Sequence, residues 1–223
     1  VKHKNKYDLV VVGGGHAGLE AAHVSAKKGC SVLIATMDKN ALGRMSCNPA
    51  IGGLAKGQMV REVDVLGGIM GRFADLSGLQ FKILNRSKGR SVWSPRAQID
   101  KRRYEKFVAA HTLENDNIEI VVGEAVGLVV KNNKVRGIIL RDETIIKSQS
   151  VVLTCGTFLS GVVHIGERKI LAGRMGEGRS DGITESLLSL GFKTGRLKTG
   201  TPPRLRKKTI NWDEASLAYG DDE

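Results

Sequence analysis

The sequence predicts an α/β fold, a Rossmann-like domain with a parallel sheet and a β-meander, on three observations. In "VVVGGGHAGLEAA", Gly13, Gly15 and Gly18 satisfy G-x-G-x-x-G between a β-branched run and a helix-forming one. From Ile118 onward the hydrophobic period shortens to that of strands, and several short ones follow in a row. The apolar run "SVVLTCG" then reads as a buried strand ending in Thr154-Cys155-Gly156. A plain alternation of strand and helix, as in a dehydrogenase domain, would not contain the meander.

Taken in order, Leu9 to Val12 is the β-branched run expected of a parallel strand covered on both faces. Gly18 to Lys28 carries alanines and small residues that let a helix lie close to a sheet; Gly29 stops it, and Ser31 to Ala35 is the second strand. A helix is expected from about Leu54 to Leu66, with Met59, Val60, Val63 and Leu66 on one face and Gly67-Gly68 at its end. Gln80 to Leu84 reads as a short strand. The basic loop "NRSKGRSVWSPR" then leads into a helix from about Ala97 to Glu114, whose apolar stripe is loose. Asn132-Asn133 suits a tight hairpin turn. Beyond Thr157 the chain reads as glycine-rich loop, a helix from about Asp181 to Leu190, and a basic tail with Pro202-Pro203. The expected division is one dinucleotide-binding domain over 1–204 and the start of a basic insertion or linker over 205–223.

At 223 residues, 41% apolar and 26% charged, the composition is that of a globular chain and excludes a disordered one. No run approaches the roughly 20 apolar residues of a membrane span, and the first strand starts too early for a cleavable leader, so a cytoplasmic location is expected. Cys30, Cys47 and Cys155 are an odd number without C-x-x-C spacing, which points away from a disulfide framework or a zinc site. The net charge of +12 is concentrated: nine Lys or Arg between Lys82 and Lys106, and seven between Lys193 and Lys208 with no acid among them. Such patches fit a phosphate-rich partner or a solvated basic face, and charge alone does not separate the two.

The glycine motif assigns a job to each of its members. Gly13 makes the tight turn, Gly15 lets a pyrophosphate approach, and Gly18 allows close packing, with the phosphates over the helix N-terminus. Gly14, His16 and Ala17 complete that loop, with His16 read as structural or cofactor-adjacent rather than as an acid or base. The acidic residue that often takes the ribose hydroxyls is replaced by Thr36, with Asp38 two residues on. Either the hydroxyl substitutes, or Asp38 reaches back, or neither touches the cofactor. The meander favours FAD over NAD, as does "VVLTCG", which resembles the strand ending in Ala-Thr-Gly of flavoproteins of the glutathione-reductase type. Cys155 stands where alanine is usual, so packing is its expected role, and Cys30 has the same reading.

With "GGGHAGLEAA", "MSCNPAIGGLAKG", "EVDVLGG", "ILNRSKGRSVWSPRAQ", "CGTFLSGVVHIG" and "GRLKTGTPPR" in that order, the chain resembles the N-terminal part of the MnmG, or GidA, family from about Tyr7 to Arg204. These are tRNA uridine 5-carboxymethylaminomethyl modification enzymes. The resemblance implies a homodimeric FAD protein that works with the GTPase MnmE, as a heterotetramer, on the wobble uridine of certain tRNAs. Methylenetetrahydrofolate would supply one carbon, ammonia or glycine the amine, and NADH the reducing equivalents. By the same resemblance Gly13 to Gly18 match the FAD phosphate loop, Val126 a backbone contact to the adenine side, and Ser180 a further FAD contact.

Cys47 matches the family's N-terminal cysteine, a nucleophile or redox thiol near the flavin. Chemistry at uridine C5 calls for a nucleophile at C6, and a thiolate is of the right type; a lone cysteine in a glycine-rich loop can also simply fill space. Family chains are much longer, so this stretch is not expected to be active alone. A folate- and FAD-dependent tRNA uracil methyltransferase and a non-catalytic FAD- and RNA-binding module are the alternatives; "SCNPAIGG" and "KTGTPPR" favour MnmG over the methyltransferase. Arg86, Lys88, Arg90 and Arg96 beside Trp93, and Lys198, Arg204, Arg206, Lys207 and Lys208, are suited to tRNA phosphates, or to a partner protein or the FAD phosphates. No metal site is expected.

Overall fold

A computed structural model describes residues 6–45, 48–200, 202–203 and 205–221. The chain opens with β1 (Tyr7–Val12), α1 (His16–Lys27) and β2 (Val32–Thr36), and then forms β3 (Ala50–Gly52), α2 (Lys56–Val65), α3 (Met70–Ser77), β4 (Gly78–Leu84), β5 (Ser94–Ile99) and α4 (Lys101–Leu113). β6 (Ile118–Val122), β7 (Ala125–Lys131), β8 (Lys134–Leu140) and β9 (Ile145–Leu153) follow, then the small hairpin β10 (Val163–Ile165) and β11 (Arg168–Ile170), and α5 (Ile183–Ser189).

The main sheet runs β6-β2-β1-β9-β8-β7. β6, β2, β1 and β9 are parallel neighbours, whereas β7, β8 and β9 form an antiparallel meander. β9 belongs to both arrangements: Ile145 to Lys147 pair with β8, and Ser148 to Leu153 pair with β1. The period-two alternation of the parallel strands sorts their side chains into two cores. Leu9, Val11, Val32 and Ile34 meet Leu19, Ala22, Tyr104 and Val108 of α1 and α4. Val10, Val12, Leu33 and Ala35 meet Ala125, Ile138, Leu140, Ile146 and Ile183 of the meander and α5. The result is three layers, helices over parallel sheet over meander. The Asn132-Asn133 turn has φ of 53° and 54°, the left-handed pair that a two-residue hairpin needs.

Several expectations are corrected. The helix expected from Ala97 starts at Lys101, because Ser94 to Ile99 is a strand paired with both β3 and β4. Asp100 sets the boundary, its carboxylate accepting from the amides of Arg102 (3.0 Å) and Arg103 (3.1 Å) as an N-cap. The strand expected over Gln80 to Leu84 is β4, and it joins β3 and β5, from stretches read as glycine-rich loop, basic loop and helix start, in a separate three-stranded sheet, β3-β5-β4. α3 is likewise unannounced: its first amides, at Ile69 and Met70, are capped by the Glu20 carboxylate of α1 at 3.0 and 2.7 Å. In α2 the stripe expected on one face lies largely in solvent, with Met59 62% and Leu66 79% exposed, and only Val60 packs against the core. The β10–β11 hairpin stands in the stretch read as loop.

Candidate nucleotide-binding site

Pairing between strands brings their carboxyl ends level. Val12 pairs with Ala35 and with Leu153, and Thr36 pairs with Val122. The loops leaving these ends build the site, where open α/β sheets carry their ligands. The Gly13 amide donates to the Ala35 carbonyl at 2.8 Å, and the Gly123 amide to the Thr36 carbonyl at 2.9 Å, so each turn is stitched to the neighbouring strand.

The glycines differ in what their missing side chains permit. Gly13 has φ of +109°, and a Cβ there would lie 2.5 Å from the Thr154 carbonyl oxygen. A Cβ on Gly18 would meet the Gly13 carbonyl and stand 2.7 Å from the Thr154 hydroxyl oxygen. That hydroxyl donates to the Val12 carbonyl at 2.8 Å and reaches the Gly13 carbonyl at 3.2 Å, so Thr154 clamps the turn from β9. A Cβ on Gly14 would press on Leu42 at 2.7 Å. Gly15 alone of the four faces nothing within 4 Å. It is the N-cap of α1, where no side chain caps the first-turn amides and no acid occupies the first turn. Those amides and the positive end of the helix dipole form a place for an anion. Gly15 and Ala17 are exposed on that side, while Gly14 and Gly18 are buried.

His16 leans on α4. Its Nδ1 is 3.5 Å from the Tyr104 hydroxyl and the two rings meet edge to face at 5.6 Å. Burial lowers its pKa, with Glu105 opposing, which keeps the ring neutral and fits a structural rather than a charged role. Thr36 and Asp38 are occupied locally: the Thr36 hydroxyl lies 3.3 Å from the Asp38 carbonyl, and the Asp38 carboxylate caps the Asn40 amide at 2.8 Å and pairs with Arg44 at 3.3 Å.

Val126 and Ser180, far apart in sequence, are brought together. The Ser180 hydroxyl is 3.5 Å from the Ala125 carbonyl, and Gly182, at φ +106°, packs so closely that a Cβ would lie 2.9 Å from the Val126 Cβ. This pair joins the glycine turn through Thr36, which touches Gly14 on one side and holds Gly123 on the other. Cys47 lies outside the described residues. Cys155 is half-buried within the meander-side core, where burial raises its thiol pKa, and Cys30 packs against the helical core; both fit the packing role.

Sequence reasoning missed the charges around this site. Glu124, Arg141, Arg44 and Glu177 carry no motif, and only the acid immediately before Ala125 in "GEAVG" marks the spot. Among the described residues no group of three or more His, Cys, Asp or Glu is placed to hold a metal ion, and no helix is long and apolar enough to cross a membrane.

The family model described as glucose inhibited division protein A matches residues 8–223. The tRNA uridine 5-carboxymethylaminomethyl modification enzyme MnmG of Chlorobium phaeobacteroides is 49% identical over 216 residues, covering 96% of this chain and 35% of that protein. MnmG of Aquifex aeolicus is 46% identical over 218 residues, covering 98% of this chain and 35% of the relative. The solved structure of Aquifex aeolicus GidA superposes with a TM-score of 0.92 at 46% identity, over 98% of this chain and 36% of that one. The GidA-related protein from Thermus thermophilus, at 20% identity and a TM-score of 0.57, shares the fold over 84% of this chain and 69% of its own. The chain thus spans about a third of the length of the curated relatives it matches. From the clamped glycine turn to the basic tail, it belongs to the glucose inhibited division protein A family.

Proposed function

We propose that this chain is the nucleotide-binding part of an FAD-dependent enzyme that installs the carboxymethylaminomethyl, or aminomethyl, group at C5 of the wobble uridine of certain tRNAs. The observation that carries the reading is the glycine turn itself, closed against Thr154 at Gly13 and Gly18 and open at Gly15 over uncapped helix amides. A pyrophosphate fits that opening, and the names of the relatives supply the substrate class.

In this reading the first-turn amides of α1 hold the pyrophosphate, and neutral His16 adds no charge beside it. Val126 contacts the adenine side through its backbone, and Ser180 adds a further contact. The flavin, when bound, supplies the redox chemistry, with NADH as reductant. Cys47 adds through sulfur to uridine C6, so that C5 gains the electron density to attack the one-carbon unit from methylenetetrahydrofolate; loss of the C5 proton and departure of the thiolate restore the ring. The amine is ammonia or glycine. The working form is a cytoplasmic homodimer with MnmE, 1–204 being the FAD domain and 205–223 the start of a basic insertion or linker.

Cys47→Ser in the full-length protein tests this. FAD is retained, seen in the flavin spectrum, while mass spectrometry of tRNA shows the uridine unmodified. Normal modification by that variant removes Cys47 from the chemistry, and a protein that takes up no FAD overturns the reading as a whole.

A further inference from the structure

The segment from Arg174 to Asp181 crosses the carboxyl end of the sheet without helix or strand of its own beyond two isolated bridges, Arg174 with Glu177 and Ser180 with Leu159. Ser180 is tied to the preceding turn through its backbone, its amide donating to the Phe158 carbonyl at 2.9 Å and its carbonyl accepting from the Ser160 amide at 2.7 Å, and side chains fasten the segment on either side of it. Near its middle, Glu177 accepts from Arg44 (3.3 Å) and Arg174 (3.2 Å). At its end, the Asp181 amide donates to Glu124 Oε1 at 3.0 Å. Glu124 is itself gripped by Arg141 through both carboxylate oxygens, Nε to Oε2 at 2.5 Å and Nη2 to Oε1 at 2.6 Å. The two segments so joined are those that carry Ser180 and Val126, one residue before Asp181 and two residues after Glu124.

We propose that Glu124, held by Arg141, is a positioning residue for the adenosine half of the dinucleotide, acting by locking Ser180 and Val126 into one surface. The inference rests on the FAD reading above. Both carboxylate oxygens are engaged, so Glu124 does not itself replace the ribose-binding acid missing at Thr36; it acts on the backbone around it. Its side chain is 18% exposed, against 58% for Arg141. A simple surface ion pair at such a site would matter little. Here a bidentate guanidinium contact and a backbone amide converge on one carboxylate, an arrangement that fixes geometry as well as charge. The Arg141 hydrogen bond holds the Glu124 pKa below the usual carboxylate range, so the grip persists throughout neutral pH.

The test uses the full-length protein stripped of flavin and titrated with FAD and, separately, with ADP, which carries only the adenosine and pyrophosphate. Glu124→Ala raises the Kd for FAD about tenfold, a change equivalent to one lost charge-assisted hydrogen bond. ADP weakens by the same factor, because the effect lies on the half the two ligands share. Glu124→Gln, which keeps the shape and loses the charge, falls between, and Arg141→Ala shows the same pattern with less effect. Melting of the apo-protein is unchanged in Glu124→Gln and Arg141→Ala, which keeps the inference testable if Glu124→Ala folds poorly. Wild-type Kd values in these two variants overturn it, as does weaker FAD binding with unchanged ADP binding. A wild-type protein that binds neither ligand overturns the FAD reading and this inference together.

Discussion

The Gly13–Gly18 turn and the Lys193–Lys208 stretch both carry donors suited to phosphate, one through the shape of its backbone and the other through side-chain charge. In the turn, every glycine is defined by its surroundings: Thr154 behind Gly13 and Gly18, Leu42 behind Gly14, open space before Gly15. In the basic stretch every described residue is exposed, and its anchors are few, such as the Arg196 guanidinium on the Ser160 carbonyl at 2.7 Å. A shaped site selects its ligand by geometry and resists salt. A charged strand selects by charge density and loses affinity as counterions compete.

The comparison breaks hardest at Gly13 and Gly18. Alanine at either meets Thr154 or the Gly13 carbonyl, and at Gly13 also adopts an unfavourable positive φ, so about 3 kcal/mol or more of stability is lost. Gly15→Ala meets nothing, so thermal melting of the apo-protein stays as in wild type while the Kd for FAD rises about tenfold or more. Equal stability losses at all three glycines would show that the turn is not divided into structural and ligand-facing positions.

Acid sharpens the contrast next. His23, 6% exposed on α1, bonds the Thr112 hydroxyl at 3.0 Å and stacks on His111 at 4.8 Å, tying α1 to α4. Burial, then the neighbouring His111, lowers its pKa to about 4. Above the unfolded value of about 6.5 both states are neutral and stability is complete. As pH falls from there towards 4, the unfolded chain takes up a proton that the folded one refuses, and roughly 2–3 kcal/mol is lost. Chemical denaturation at pH 7 and pH 4.5 measures the loss, and His23→Gln reduces the difference. The smallest effect belongs to the basic stretch: Lys207→Gln with Lys208→Gln lowers the slope of log K for tRNA against log salt by about 1–2 and leaves FAD affinity intact. An unchanged slope would remove this stretch from the RNA surface.

What the sequence discloses follows the same division. The turn was legible because G-x-G-x-x-G encodes steric facts, and the burial of β1 on both faces because the unbroken apolar run "LVVV" is local. The Asn132-Asn133 hairpin was legible for the same reason. Of the β3-β5-β4 sheet only β4 was legible, as the short strand at Gln80 to Leu84: Ser94-Pro95-Arg96 gives no strand period, and its pairing with Ala50 to Gly52 is set by tertiary contact. α3 was hidden because its cap comes from Glu20, fifty positions earlier. The glycine spacing could place the pyrophosphate but not the Glu124–Arg141 grip, since two charged residues on separate strands have no shared pattern. The exposed stripe of α2 shows the converse, a helical period that is real without the burial it ordinarily signals.

The Thr154 clamp also bears on how the chain is made. Its hydroxyl reaches the Val12 carbonyl across 142 residues, and β9 supplies the partner on that side of β1. At synthesis rates of roughly 5–20 residues per second, β1 waits roughly 7–30 s for that partner to be made. During that interval an apolar strand edge stands open and the glycine turn has no back wall. The nucleotide pocket therefore closes on the ribosome only after β9 has followed β1 out.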